Sequence, residues 1–152
     1  MKYVKPHPEK CRFVQECMRA CAQKTQKSDD ISLSSILVTH ADDGTVDINV
    51  CNQCGVCIDI CPVTAISRTK AGTVVINKNL CVGCYACVEY CPTGSMRTHA
   101  SRLAPFKCIA CGACVEACPA GALELVDGEF ELSYLEQNQA GETGDTFAKN
   151  YF

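Results

Sequence analysis

The sequence predicts an α+β fold of two nested units, made of short strands, short helices and hairpin insertions. Three observations predict it. One cysteine pattern, C-x2-C-x2-C-x3-C-P, recurs along the 152 residues, three times intact and once degenerate. Short β-prone runs flank compact turn signals, the usual mark of hairpins. Large side chains are scarce, with no Trp, five Phe and five Tyr. A core that thin needs staples, and a content of 15 cysteines is the density of a disulfide scaffold or a metal carrier.

Taken in order, residues 1–10 are polar, contain Pro6 and Pro8, and are expected to form an extended arm. The first copy of the pattern follows. Cys11, Cys17 and Cys21 fall in register, Val14 fills the second slot, and Ala22 replaces the closing proline. Residues 22–31 are polar and read as loop. Residues 32–40 and 45–50 flank Asp42, Asp43 and Gly44 and predict a hairpin insertion. The second copy is Cys51, Cys54, Cys57 and Cys61, closed by Pro62. Short strands are expected at 66–68 and 74–77, around a turn at 70–72. The third copy is Cys81, Cys84, Cys87 and Cys91, closed by Pro92. A basic linker with Arg97, Arg102 and Lys107 leads to the fourth copy, Cys108, Cys111, Cys114 and Cys118, closed by Pro119. Residues 123–126 and 129–135 flank Asp127 and Gly128, another hairpin signal. The C-terminal arm, 136–152, carries Phe147, Tyr151 and Phe152; it reads either as a frayed tail or as a segment that docks its aromatics on a partner.

The pattern has a physical cause. In C-x2-C-x2-C-x3-C-P, three cysteines hold one iron–sulfur cluster and the fourth ligates a neighbouring one. Steps of three residues let the chain curl around a cube, with Gly55 and Gly83 supplying left-handed backbone. Successive N–H groups can then point at sulfur, as in an anion-binding nest. The fourth cysteine lies a helical turn on and faces elsewhere, and the proline sends the chain away. On these residues the stretch 50–97 resembles the bacterial two-cluster ferredoxin family. The resemblance makes the clusters the staples, so the apoprotein is expected to be poorly folded.

The same resemblance implies a domain plan. Copies two and three have the family's usual separation and form an inner dicluster unit, 50–97. Copies one and four form an outer unit, 8–49 plus 98–135, wrapped around it. Such nesting is similar to the electron-transfer subunits of hydrogenase, formate dehydrogenase and molybdenum or tungsten oxidoreductase systems. Crossing the fourth ligands, as the family does, allots Cys51, Cys54, Cys57 and Cys91 to one cluster. Cys81, Cys84, Cys87 and Cys61 take another, and Cys108, Cys111, Cys114 and Cys21 a third. Cys11, Cys17 and Cys118 remain for the last, and no cysteine is left over. Pairing copy one with two, and three with four, closes equally well; the insertion before Cys51 favours nesting. At the three-cysteine site the resemblance implies a [3Fe–4S] centre beside three [4Fe–4S] clusters. The alternative keeps a fourth iron, held by water or by a side chain such as His7.

Rival readings fare worse. An odd cysteine count argues against a disulfide framework. Zinc sites pair two C-x2-C clips across a gap, which makes a structural zinc module a remote alternative. Radical chemistry on S-adenosylmethionine would need a cysteine where Lys24 stands. His7, His40 and His99 are scattered and read as surface residues, Glu89 and Glu116 as solvated charges, and Tyr85 and Tyr90 as packing against clusters. No phosphate-binding glycine loop and no nucleophile–base pair is present, so catalysis is expected on another chain. A net charge of −3 and a pI near 5.6 argue against nucleic acid. No apolar run predicts a membrane span. Cysteines without an export signal predict the cytoplasm. The expected function is a non-catalytic iron–sulfur subunit between a catalytic partner and a second redox protein, such as a flavoprotein. By size and motifs it resembles the small polyferredoxin subunit of tungsten-dependent aldehyde oxidoreductases. Two pseudo-equivalent ends could also let such subunits stack into a longer wire; the alternative function is a free soluble ferredoxin serving several enzymes.

Overall fold

The structure is a computed structural model that describes residues 1–128. The expected strand at 129–135 and the C-terminal arm lie outside the described residues. The architecture is small antiparallel strand pairs joined by short helices.

Strand β1 (Lys2–Pro6) pairs antiparallel with β6 (Leu123–Asp127), Lys2 opposite Asp127 and Pro6 opposite Leu123. The expected arm is therefore extended, but it is a sheet strand, with Val4 buried at its centre. A 3-10 turn, Pro8–Lys10, leads towards helix α1 (Glu16–Gln26). This corrects the expected loop at 22–31. Ala22 keeps its N–H and brings no ring against the preceding turn, so the helix passes through where a proline would have stopped it. Ala22 is fully buried, while Gln23 and Lys24 face water. Lys27 ends α1 in the left-handed region at φ 55°, its N–H donating to the Ala22 carbonyl. A second 3-10 turn, Ile31–Leu33, is capped by the Asp30 carboxylate, which accepts from the Ser32 N–H at 3.0 Å.

Strands β2 (Leu37–His40) and β3 (Val46–Asn49) form the predicted hairpin, with Leu37 opposite Asn49. The Asp43 carboxylate closes the turn by accepting from the Thr45 N–H at 3.0 Å and its hydroxyl at 2.6 Å. Strands β4 (Ile66–Arg68) and β5 (Val74–Ile76) form the second predicted hairpin, one residue shorter than expected. Helices α2 (Val56–Ile60), α3 (Ala86–Glu89) and α4 (Ala113–Ala117) each follow a cysteine loop and stop before its last cysteine or one residue earlier.

Sulfur fills much of the interior. One buried group joins Val4, Met18, Ile36, Val38, Ile48 and Leu123 to cysteines of copies one and four and to Cys51. A second joins Ile66, Val74 and Met96 to Cys57 and Cys87. Ala22, Leu33 and Phe106 make a third. The supposed basic linker is a closed loop, since Arg97 and Phe106 exchange N–H to carbonyl bonds of 2.8 and 2.9 Å. Lys107 at its end is buried, not solvated.

Candidate metal centres

Every copy of the motif folds its loop in the same way. The second and fourth residues after the first cysteine are left-handed: Phe13 and Gln15, Gln53 and Gly55, Gly83 and Tyr85, Ala110 and Gly112. A non-glycine residue in that region costs roughly 1–2 kcal/mol, so the loops hold strain that something must offset. The left-handed turns aim backbone donors at sulfur. Phe13, Gln53 and Ala110 donate their N–H to the Sγ of Cys11, Cys51 and Cys108 at 3.3–3.4 Å. After the closing cysteine, Ala65, Ser95 and Ala122 do the same for Cys61, Cys91 and Cys118 at 3.3–3.4 Å. In copy one, where α1 continues past Cys21, the donor comes from the next segment: the Ser35 N–H lies 3.3 Å from Cys21 Sγ. Such donors suit an electron-rich thiolate on iron, whose charge they stabilise. The third cysteine of each copy, Cys17, Cys57, Cys87 or Cys114, sits in the first turn of its helix.

As bare thiols these groups resist ionisation. Burial pushes Cys17 and Cys87 up to about 11, and Cys57, Cys108 and Cys114 up to about 12. Burial raises Cys51 as well. Cys91 differs: burial acts upward on it too, but the Thr93 hydroxyl and the N–H groups of Ser95, Thr93 and Met96 prevail and hold it below the ordinary thiol value. A metal entering these sites displaces protons, and its binding free energy becomes folding free energy.

The sulfurs are grouped across copies. Cys17 is repelled by Cys118 and Cys11. Cys57 is repelled by Cys51, Cys54 and Cys91. Cys87 faces Cys81, Cys61 and Cys84. Cys114 faces Cys108, Cys21 and Cys111, and more weakly Cys17. Cys108 also faces Cys51. None of the 15 cysteines is joined in a disulfide. Among the described residues no three His, Cys, Asp or Glu side chains converge as a single ion would require. A four-iron cube holds its thiolates farther apart than one zinc ion does, so these open sets fit the cube and its N–H donors better than zinc.

Two basic side chains lie against these loops: Lys107, which the sequence placed only in a basic linker, and Arg68, which it did not single out. Gln53, fully buried, donates through Nε2 to the Cys108 carbonyl at 2.7 Å and accepts on Oε1 from the Val74 N–H at 3.0 Å. Lys107 Nζ donates to Gln53 Oε1 at 2.9 Å, to the Val74 carbonyl at 2.6 Å and to the Cys108 carbonyl at 2.8 Å. Its positive charge lowers the thiol values of Cys51, Cys57 and Cys108 against burial. Arg68 spans the same loop from outside, donating to the carbonyls of Gln53 at 3.0 Å, Gly72 at 2.8 Å and Cys54 at 3.2 Å.

Val14 is 50% exposed. His7 is engaged by Glu124 at 3.2 Å and Glu9 at 3.6 Å. His40 stands edge-on to Phe13 with ring centroids 3.7 Å apart, and His99 meets Asp30 at 3.5 Å. Glu89 and Glu116 are exposed. Tyr85 corrects its expectation in part: it lines a shallow hollow with Cys61, Cys81, Cys84 and Cys87, yet stays 39% exposed and does not seal it.

Comparison with known proteins agrees with the thiol chemistry. Models of the 4Fe-4S dicluster domain match residues 50–95 and 73–119, overlapping on the third copy. The beta subunit of the NADH-dependent phenylglyoxylate dehydrogenase of Aromatoleum evansii is 36% identical over 66 residues, 40% of this chain and 15% of that protein. This chain therefore spans only a small part of that relative. Among solved structures, the active site complex BamBC of benzoyl coenzyme A reductase, in complex with benzoyl-CoA, covers 99% of this chain at 16% identity and a TM-score of 0.47. The chain thus carries 4Fe-4S dicluster sequence and is related to an oxidoreductase subunit.

Proposed function

We propose that the chain is an iron–sulfur electron-transfer subunit that relays single electrons through four clusters, without catalysis of its own. The observation that carries this reading is the fourfold recurrence of one left-handed cysteine loop, present even in the copy that has valine in place of a cysteine. Its ligand sets are Cys81, Cys84, Cys87 and Cys61; Cys51, Cys54, Cys57 and Cys91; Cys108, Cys111, Cys114 and Cys21; and Cys11, Cys17 and Cys118. The charge that each ionised sulfur would impose on its neighbours in the same set supports these sets. The nested domain plan is supported by the β1–β6 pairing and by the buried group that joins copies one and four.

The contacts between sets suggest a linear order. The sets of Cys87 and Cys57 share a buried core. The set of Cys57 meets the next through Cys51 and Cys108, and that one meets the last through Cys114 and Cys17. Electrons would enter or leave where the row meets water: at the ends, where Cys84 is exposed and Val14 opens to solvent, and also at Cys111 of a middle set. When bound, the clusters supply the one-electron chemistry; the chain's residues hold them and donate N–H groups to their sulfurs.

At the end formed by Cys11, Cys17 and Cys118 the reading is a [3Fe–4S] centre, supported by the exposed Val14 and by the engagement of His7 with two carboxylates. The partners on this reading are a catalytic oxidoreductase subunit and a second redox protein. A tungsten-dependent aldehyde oxidoreductase is the catalytic partner that the motif resemblance favours. Iron and sulfide analysis of anaerobically purified protein, with electron paramagnetic resonance of the reduced and oxidised forms, tests the reading. Three cubane signals and one three-iron signal are expected, with one iron fewer than four cubanes require. A folded, colourless, iron-free protein would overturn it.

A further inference from the structure

The other copies form their left-handed loops without a counterpart of the Lys107–Gln53 network. Its amide orientation is fixed, because the Val74 N–H demands an oxygen at Gln53 Oε1 and the Cys108 carbonyl demands the nitrogen at Nε2. Lys107 Nζ therefore faces three oxygen acceptors and no donor: Gln53 Oε1, Val74 O and Cys108 O. Three acceptors call for three N–H bonds, which only an ammonium has. That ammonium is 5% exposed, and no carboxylate among the described residues pairs with it. A buried charge needs an opposite charge nearby. Lys107 Nζ holds the Cys108 carbonyl and Gln53, whose own N–H points at Cys51 Sγ. Among the described residues its charge acts on the sulfurs of Cys51, Cys57 and Cys108, which become anionic on ligating iron and belong to the two middle sets of the row.

We propose that Lys107 is a fixed buried cation shared by the two middle cluster sites, which it holds at higher reduction potential than they would have without it, and that Gln53 positions it. The proposal rests on the four-cluster reading above. A positive charge in a low-dielectric interior favours the more negative, reduced form of each neighbouring cluster. Among the described residues Lys107 is the only buried lysine or arginine, so the middle of the relay is tuned separately from its ends. Copy two alone carries a glutamine at this loop position; the others have Phe13, Gly83 and Ala110, none of which could hold a lysine.

The test is a redox titration of the iron-loaded protein, followed by electron paramagnetic resonance, in wild type and in the Lys107→Gln and Lys107→Arg variants. The middle signals are assigned by their loss in Cys91→Ser and Cys21→Ser. Lys107→Gln is expected to lower the two middle potentials and leave the two end potentials in place; Lys107→Arg restores them. Unchanged potentials at wild-type iron content, or an equal shift of all four, would overturn the proposal and leave the relay intact. A wild-type protein without iron would overturn the relay itself. Should Lys107→Gln fail to hold iron, Gln53→Glu sets a carboxylate on the ammonium in a chain that keeps the lysine. It carries the same expectation for the same two centres, and unmoved potentials there would refute the role given to Lys107.

Discussion

At position 14 the chain has lost a sulfur and kept everything around it. Phe13 and Gln15 stay left-handed, and the Phe13 N–H still points at Cys11 Sγ. The loop is therefore ready for a ligand that Val14 cannot provide. Val14→Cys is expected to add one iron per chain and to replace the three-iron signal by that of a reduced cubane, read by iron analysis and paramagnetic resonance. At Gly55 the constraint is conformational as well as steric. Its φ is +86°, and the Arg68 guanidinium fills the space that a Cβ would take. Gly55→Ala is expected to cost at least about 1–2 kcal/mol, seen as a lower urea midpoint under anaerobic conditions.

Among the elements, α1 shows how one residue sets a length. Its three counterparts end at a cysteine followed by Pro62, Pro92 or Pro119, whereas α1 runs on through Ala22 to Gln26. The extra turns bury Ala22 against Leu33 and Phe106. Ala22→Pro is expected to destabilise by about 3 kcal/mol or more, and to loosen Cys17 and Cys21 together because both ride on α1. Iron release on mild chelation would report it. Pro62→Ala, at an exposed position after a helix that has already ended, is expected to stay within about 0.5 kcal/mol. The loops and both hairpins were legible in the sequence, because cysteine spacing and turn residues act over a few positions. The length of α1 was not, because the missing proline counted as a loss of motif and not as permission for the helix to continue.

For the whole molecule, sulfur is core material. Cysteines make up a large share of the buried apolar groups, and their environments are closed by residues far away in sequence. Removing iron with a chelator under reducing conditions is expected to abolish most of the far-ultraviolet circular dichroism, since the strained loops then have nothing to offset them. The pairing of copies is testable at this scale as well. Under the nested plan Cys21→Ser and Cys108→Ser deplete the same paramagnetic signal; under the pairing of copy one with two, Cys21→Ser and Cys51→Ser do. The dicluster models, which overlap on the third copy, do not choose between the plans.

By itself the sequence determined the thiol chemistry, the repeated loop and the places of the hairpins at 42–44 and 70–72, all of which follow from sterics and spacing between near neighbours. Tertiary structure decided the pairing of β1 with β6, the burial of Lys107 and its capture by Gln53. These join residues separated by tens of positions along the chain, where no periodicity or turn signal links the partners. A lysine at the end of a polar stretch looks solvated until three carbonyl oxygens from separate segments close around it.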